Sequence, residues 1–260
     1  MHALSRLFAV AALAVLSVPV RADLVLTRKT HNAAYTMPDG EVPARDSTTV
    51  VWVGKDRLRV DDGERIIVVR LDTQKLHVLD PLTKTAATTD LPVDLAALTP
   101  PDMAKLLADM GKSMKITSDT TTETRKIQGW DATKSVVRVG ANATITVWTT
   151  NDLPLERANY DQLVGHAMSI RPGGAQVSAE MRKLGGVSVL TEREQTSNGV
   201  TMRSRDEIVS AETKDAPAGT YEVPADYTAK PFDAMEEITR SMPRRPLPAT
   251  VPPTPGVTPR

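Results

Sequence analysis

The side chains able to do chemistry are few in this chain, and they are widely separated. Beyond the apolar N-terminal run the sequence carries three histidines, His31, His77 and His166, and it contains no cysteine at all. None of the three has a second histidine or a carboxylate at metal-ligand spacing, so neither a zinc-protease helix nor a thiolate site can be assembled locally. No cofactor is called for. His77 alternates with Leu76 and Val78, the pattern of a strand residue facing outward. His166 lies near Ser169, but no serine has the glycine spacing of a nucleophile elbow, so an esterase-like triad would need partners brought together by the fold. Asp61-Asp62-Gly63-Glu64 is acidic enough to suggest Ca²⁺, yet it lacks the alternating ligands of a calcium loop and reads as a hairpin turn. Gly173-Gly174 and Gly185-Gly186 have no phosphate-loop context and read as a helix start and a helix stop. Asn142-Ala143-Thr144 has the form of a glycosylation sequon at a position where a turn requires Asn.

The apolar residues say more. Trp52, Trp130 and Trp148 all fall in strand-rich stretches or their turns, in a chain with only 3% aromatic residues. Met103, Leu106, Leu107, Met110 and Met114 recur at helical spacing, and methionine suits adaptable apolar surfaces. Ordinary core packing and an apolar groove both account for such a set.

The elements that must position these residues follow from turn spacing. From Thr48 to Leu91, short β-branched runs are separated by Gly54-Lys55, Asp61–Glu64, Asp72–Lys75 and Asp80–Thr83. The gaps leave no room for helical crossovers, so neighbouring strands must pair antiparallel as a meander. Leu58 and Val60, like Leu76 and Val78, alternate with polar residues, whereas Ile66–Val69 is apolar throughout and predicts a strand covered on both faces. A strand over 24–30 precedes the meander. A helix follows it, with Thr99 as the cap, Pro100 in the first turn and the Met103–Met114 stripe on one face. A second meander runs from Lys115 to Leu153, with Ile145 to Trp148 as one strand. Two short helices come next, one with Tyr160, Leu163, Val164 and Ala167, the other with Val177, Met181 and Leu184. Residues 187–197 and 200–213 around Asn198-Gly199 form the clearest hairpin, and Tyr221–Tyr227 reads as a closing strand and turn.

The two ends read differently. Arg6, the ten apolar residues Leu7–Leu16, Pro19 and Val20-Arg21-Ala22 have the order of a secretory signal peptide cleaved after Ala22. Ten apolar residues fall short of the ~20 that a permanent span needs. Without Arg6 and Arg21 the chain has 30 basic against 32 acidic residues, net −2, which gives no reason to expect nucleic acid as a partner. No later run reaches membrane-spanning length. Residues 242–260 hold seven prolines and no acid, and read as an extended tail able to dock an envelope protein. The expected organisation is a signal peptide (1–22), one folded domain (23–230) and a proline-rich flexible tail (231–260).

Several stretches taken in order carry a resemblance: V-W-V-G-K-D-R-L-R-V-D-D-G at 51–63, K-I-Q-G-W-D at 126–131, I-T-V-W-T-T-N-D-L-P at 145–154, the Asn-Gly hairpin and Y-E-V-P-A-D-Y at 221–227. Together they resemble the uncharacterised periplasmic domains related to the outer-membrane lipoprotein carriers LolA and LolB, over about residues 24–227. The resemblance implies a mainly β (α+β) fold: a curved antiparallel half-barrel sheet with helices packed on its concave face. It also implies an apolar guest held between sheet and helices. No functional residue carries over, and the absence of a lipidated Cys separates the chain from anchored LolB-type receptors.

Two functional expectations result. The first is a periplasmic, non-enzymatic carrier of a lipid, an acyl chain or a lipidated protein. Its groove would be lined by Trp52, Leu58, Val60, Leu76, Val78, Ile145 and Val147 from the sheet and by Met103, Leu107 and Met110 from the helix. The second is an envelope interaction, sensing or assembly protein on the same scaffold, with a packed core and an exposed patch or edge in place of a small-molecule ligand.

Overall fold

The computed structural model describes residues 22–241 except Asp39 and Asn198; the expected signal peptide core, the expected tail from 242 onward and the Asn of the Asn-Gly pair lie outside them. Among the described residues the fold is mainly β, built on a large, curved, unclosed sheet with four helices, as an antiparallel half-barrel requires. Strand β1 (Asp23–Asn32) leads through a small hairpin, β2 (Tyr35–Met37) and β3 (Gly40–Val42), to β4 (Arg45–Val53). The first meander continues with β5 (Arg57–Asp61), β6 (Ile66–Arg70), β7 (Lys75–Asp80) and β8 (Thr85–Asp90). Helix α1 (Pro101–Ser113) precedes the second meander of β9 (Ile116–Ile127), β10 (Trp130–Val139) and β11 (Ala143–Thr150). Helices α2 (Arg157–Ser169) and α3 (Gly174–Lys183) then lead to the long hairpin of β12 (Val187–Ser197) and β13 (Val200–Lys214). Strand β14 (Thr228–Pro231) and helix α4 (Ala234–Ser241) complete the described chain.

Twelve strands form one sheet in the order β14-β8-β7-β6-β5-β4-β1-β13-β12-β11-β10-β9. Every pairing in it is antiparallel except the short one between β14 and β8. The first and second meanders are thus the two wings of the sheet, and β1 joins them by pairing with β4 on one side and β13 on the other.

The turns form for the reason their composition suggests. Asp62 Oδ1 accepts the backbone N–H groups of Glu64 (3.0 Å) and Arg65 (2.7 Å), and Asp61 Oδ1 accepts that of Gly63 (3.0 Å). The acidic cluster is therefore spent within the protein, Asp61 and Asp62 on the turn backbone, with Asp61 also on Arg59 and Glu64 on Arg45. Asp80 does the same for Leu82 and Thr83, and those bonds, that of Thr83 foremost, hold its carboxyl below the usual range.

Strand periodicity sorts the first wing into two buried faces. Leu24, Leu26, Val51, Val53, Leu58, Ile67, Val69, Leu76 and Val78 point inward and form the main core with Tyr160, Leu163 and Ala167 of α2 and with Ile170 just beyond it. Trp52, Ile66, Val68, Leu79 and Ala86 point outward and are covered by Ala216, Tyr221, Val223 and Tyr227. Ile66–Val69 is accordingly buried on both faces, as its unbroken apolar run predicts. On the second wing Val137, Ile145 and Val147 pack with Leu184 and Met181 at the end of α3.

Three expectations need correction. Residues 221–227 make turns, not a strand: they strap the outer face because Tyr221, Val223 and Tyr227 are drawn onto apolar residues there. The folded region does not end at 230. Strand β14 extends to Pro231, and α4 buries Ala234 and Ile238 and pairs Glu237 with Arg65. The α1 helix is not capped by Thr99, whose hydroxyl donates to Ala96 O (3.1 Å) in the preceding turn; Pro100 takes the capping position.

Candidate functional site

Two helices of equal length compete for the concave face, and α2 occupies it. Its Tyr160, Leu163 and Ala167 are buried, and Leu163 and Ile170 are fully inaccessible to solvent, as are Leu58, Val69 and Leu76 of the sheet. By contrast α1 buries no residue at all, and Leu106 and Met110 on its stripe are 51% and 41% exposed. Connectivity explains the difference. Strand β8 lies near one end of the sheet and β9 is the other end, so the segment carrying α1 must bridge the mouth of the half-barrel. Strands β11 and β12 are neighbours, so the α2–α3 excursion between them is free to fold back into the concavity.

The expected groove residues therefore do not converge on the α1 stripe. Leu58, Leu76, Val78 and half-buried Val60 belong to the core beneath α2. Trp52 faces the opposite side of the sheet, against the 216–227 strap. Ile145 and Val147 lie in a separate cluster with Leu184. Met103 and Leu107 are half-exposed on α1, and Met110 is more exposed still. Two depressions lie elsewhere on the sheet, and both are open and partly polar. One, of about 600 Å³, lies between Trp52, Arg59, Asp61 and the Pro217–Thr220 turn. The other, of about 480 Å³, is lined by His31, Thr144, Glu192, Arg203 and Arg205. Neither is lined by a residue of α1 or α2.

The strap is fastened by polar contacts that sequence reasoning missed. Tyr221 Oη donates to buried Asp23 at 2.8 Å, and the Arg57 guanidinium lies 4.7 Å from the centre of the Tyr221 ring. Arg59 and Arg70 donate to the carbonyls of Thr220 (3.2 Å) and Tyr221 (3.4 Å). Burial, then the bond to Asp23, pushes the Tyr221 hydroxyl pKa well up, so it remains a donor. The Y-E-V-P-A-D-Y segment gave only a turn-and-strand signal; a Tyr beside an early Asp has no sequence signature.

At the mouth, the turn between α2 and α3 brings charge next to α1. A Cβ on Gly174 would sit 2.0 Å from Met168 O, and one on Gly173, at φ +71°, would sit 2.8 Å from Met114 Cε. Those two glycines therefore permit the tight turn and let the end of α1 lie against it. Arg171 is in that turn. Arg193 is paired with Ile145 and Ser204 in register, so it shares the inner face of β12. Desolvation first, then repulsion from Arg171, lowers its guanidinium pKa, with Asp206 opposing. Arg193 as a residue remains exposed, so it is crowded by neighbours without being sealed. Arg65 on the other wing is held down to about 10 by burial and by Arg171 and Arg240, even though it is paired with Glu237.

His31 Nδ1 lies 2.7 Å from Asp46 Oδ1 on an exposed part of the sheet, while Ser169 and His166 do not pair through their side chains. The Ser169 hydroxyl donates to the backbone carbonyl of His166 (2.7 Å) rather than to its imidazole. His77 Nδ1 is 2.8 Å from Thr88 Oγ1. Among the described residues no cluster of His, Cys, Asp and Glu could hold a metal ion, and no helix is long and apolar enough to cross a membrane.

No protein-family model and no curated protein sequence matches this chain. Among solved structures it is similar to PNGF-II in space group C2, at 16% identity over 83% of this chain and 32% of that one, with a TM-score of 0.42. It is also similar to MucB in complex with MucA(peri), at 10% identity over 79% of this chain and 56% of that one, with a TM-score of 0.35. The Pseudomonas aeruginosa MucA/MucB complex gives 10% identity, coverage of 78% and 57%, and a TM-score of 0.36. The chain thus spans between 32% and 57% of the length of these three structures. Likeness at these scores carries neither an activity nor a partner to this chain.

Proposed function

We propose that this chain is a non-enzymatic interaction protein of the periplasm that docks a partner protein on the uncovered stripe of α1. The observation that carries the reading is the occupied concave face: Leu163 and Ile170 fill the space that an acyl chain would need. Carriage of a lipid inside the half-barrel, the other expectation, would require α2 to leave a core whose largest members are already fully buried. The stripe has the composition of an interaction patch, with Leu106, Met110 and half-exposed Met103 and Leu107 rimmed by the Lys105–Asp109 ion pair and Lys112. Periplasmic location rests on the signal-peptide pattern of residues 1–22.

A photo-crosslinking amino acid placed at Leu106 or Met110 tests this in envelope preparations. A discrete protein adduct is expected at both positions, lost on Met103→Asp and absent from a control at Thr144. Lipid adducts in native mass spectrometry, or no adduct above the control, would overturn the protein-partner reading.

A further inference from the structure

The mouth of the half-barrel holds more positive charge than the fold uses. The inner face of β1, β13 and β12 carries Arg28, Thr30, Asp206 and Arg193 side by side. Asp206 is the acid of that row, and it is already engaged by Arg28 (3.1 Å) and by the Thr30 hydroxyl (3.0 Å). The nearby acids of α2 and α3 are likewise engaged: Asp161 with Arg157 (2.7 Å), and Glu180 with Lys183 (2.5 Å) and Ser118 (3.2 Å). On the first wing Glu237 is taken by Arg65, and Glu236 by Lys230 and Arg240.

The guanidiniums of Arg171 and Arg193 are left without a hydrogen bond or ion pair among the described residues. Arg193, on the inner face of β12, is crowded by burial and by the like charge of Arg171, a cost that nearby Asp206 only partly offsets. An anion arriving between them would offset that cost with charge-assisted, bidentate hydrogen bonds.

The apolar stripe lies next to this charge. Met114, the C-cap of α1, lies against Gly173, two residues from Arg171. Met110 is one helical turn further back, about 6 Å along the axis. Lys112 and Lys115 at the same end add to the positive charge and are in no ion pair among the described residues. A carboxylate is the natural counterpart of two guanidiniums, and an apolar side chain is the natural cover for Leu106 and Met110.

We infer that the mouth receives a segment of the partner protein that presents carboxylates beside an apolar face, with the carboxylates on Arg171 and Arg193 and the apolar side chains on the α1 stripe. The inference deepens the docking reading of α1 and rests on it for the apolar half of the contact.

The test uses three labelled synthetic peptides with the same leucine stripe and Glu, Gln or Lys along its flank, titrated into the chain by fluorescence anisotropy. The Glu peptide should bind about tenfold or more tighter than the Gln peptide, as close charge pairs at interfaces allow, with the Lys peptide weakest. The gap should narrow at high salt. R171E/R193E should invert the order, and R171Q/R193Q, a milder change to exposed positions, should flatten it.

Equal binding of all three peptides to the native chain, or an unchanged order in both double variants, would overturn the inference. L106D/M110K should weaken all three peptides. If that variant keeps full Glu-peptide affinity while R171E/R193E inverts the order, the anion site stands and the α1 reading falls. Partition onto phosphatidylglycerol vesicles with no peptide bound would assign the mouth to a membrane surface and overturn the proposal.

Discussion

Helices α1 and α2 are both thirteen residues long. One is a core element and the other is a surface. The helix with the continuous apolar stripe is the surface one; α2, with its mixed composition, buries Tyr160, Leu163 and Ala167. What decides their roles is how each is tethered. A helix linking adjacent strands can sink into the concavity, and one bridging opposite ends of the sheet must pass over it. The contrast teaches that an amphipathic helix in a half-barrel is no guide to the barrel's contents until the strand order is known. The uncovered stripe then becomes the feature that asks for a function.

The contrast can be broken first by truncation. Leu163→Ala should cost about 2–5 kcal/mol, the range for a fully buried Leu whose site cannot collapse, whereas Leu106→Ala should stay within about 0.5 kcal/mol. Urea melts of both variants decide the matter, and equal losses would mean that α1 is packed in solution. Next in size is the strap. Tyr221→Phe leaves Asp23 buried without its donor and should cost about 1–3 kcal/mol, read from the same melts. A finer probe is hydrogen exchange. Backbone amides of α1 should exchange through local opening, while those around Leu163 should exchange only with global unfolding.

The smallest expected effect is the response to acid. His77 has its pKa lowered by burial and by Arg70 and Lys75, and His166 by burial and Arg182. In the unfolded chain both titrate near the ordinary value of 6.5, so below that pH the unfolded state binds more protons and stability falls as pH falls. Both rings are partly exposed, so the drop in melting temperature between neutral and mildly acid pH should be slight, and it should shrink further in His77→Gln and His166→Gln. A melting temperature that rises on acidification would reverse the sign argued here.

The strands were legible because their signals are local. Alternation at Leu58/Val60 and Leu76/Val78, the unbroken run Ile66–Val69 and the Asp-led turns each report on a few neighbouring residues, and all agree with the observed meander. The site was not legible, because its logic is long-range. Tyr160, Leu163, Ala167 and Ile170 are spaced 3, 4 and 3 apart, as good a buried face as the α1 stripe offers. Nothing near them in sequence says which helix reaches the sheet first. Arg193 looks like any solvated strand residue until register places it on the inner face, and Arg171 gains its meaning only from its place in the turn between α2 and α3.

The place of β1 has one more consequence. It is the earliest strand among the described residues, yet it sits inside the sheet, and one of its two neighbours is β13 at Val200–Lys214. A chain emerging N-terminus first can pair β1 with β4 almost at once, but the opposite edge stays bare until nearly all the sequence has appeared. During that interval the backbone N–H and C=O groups along β1 are open to any passing strand. Closing the contact late, across most of the chain's length, makes the step slow. The order of assembly is therefore built into the topology: the first wing forms early and waits, and the arrival of β13 both completes the sheet and ends its exposure to mispairing.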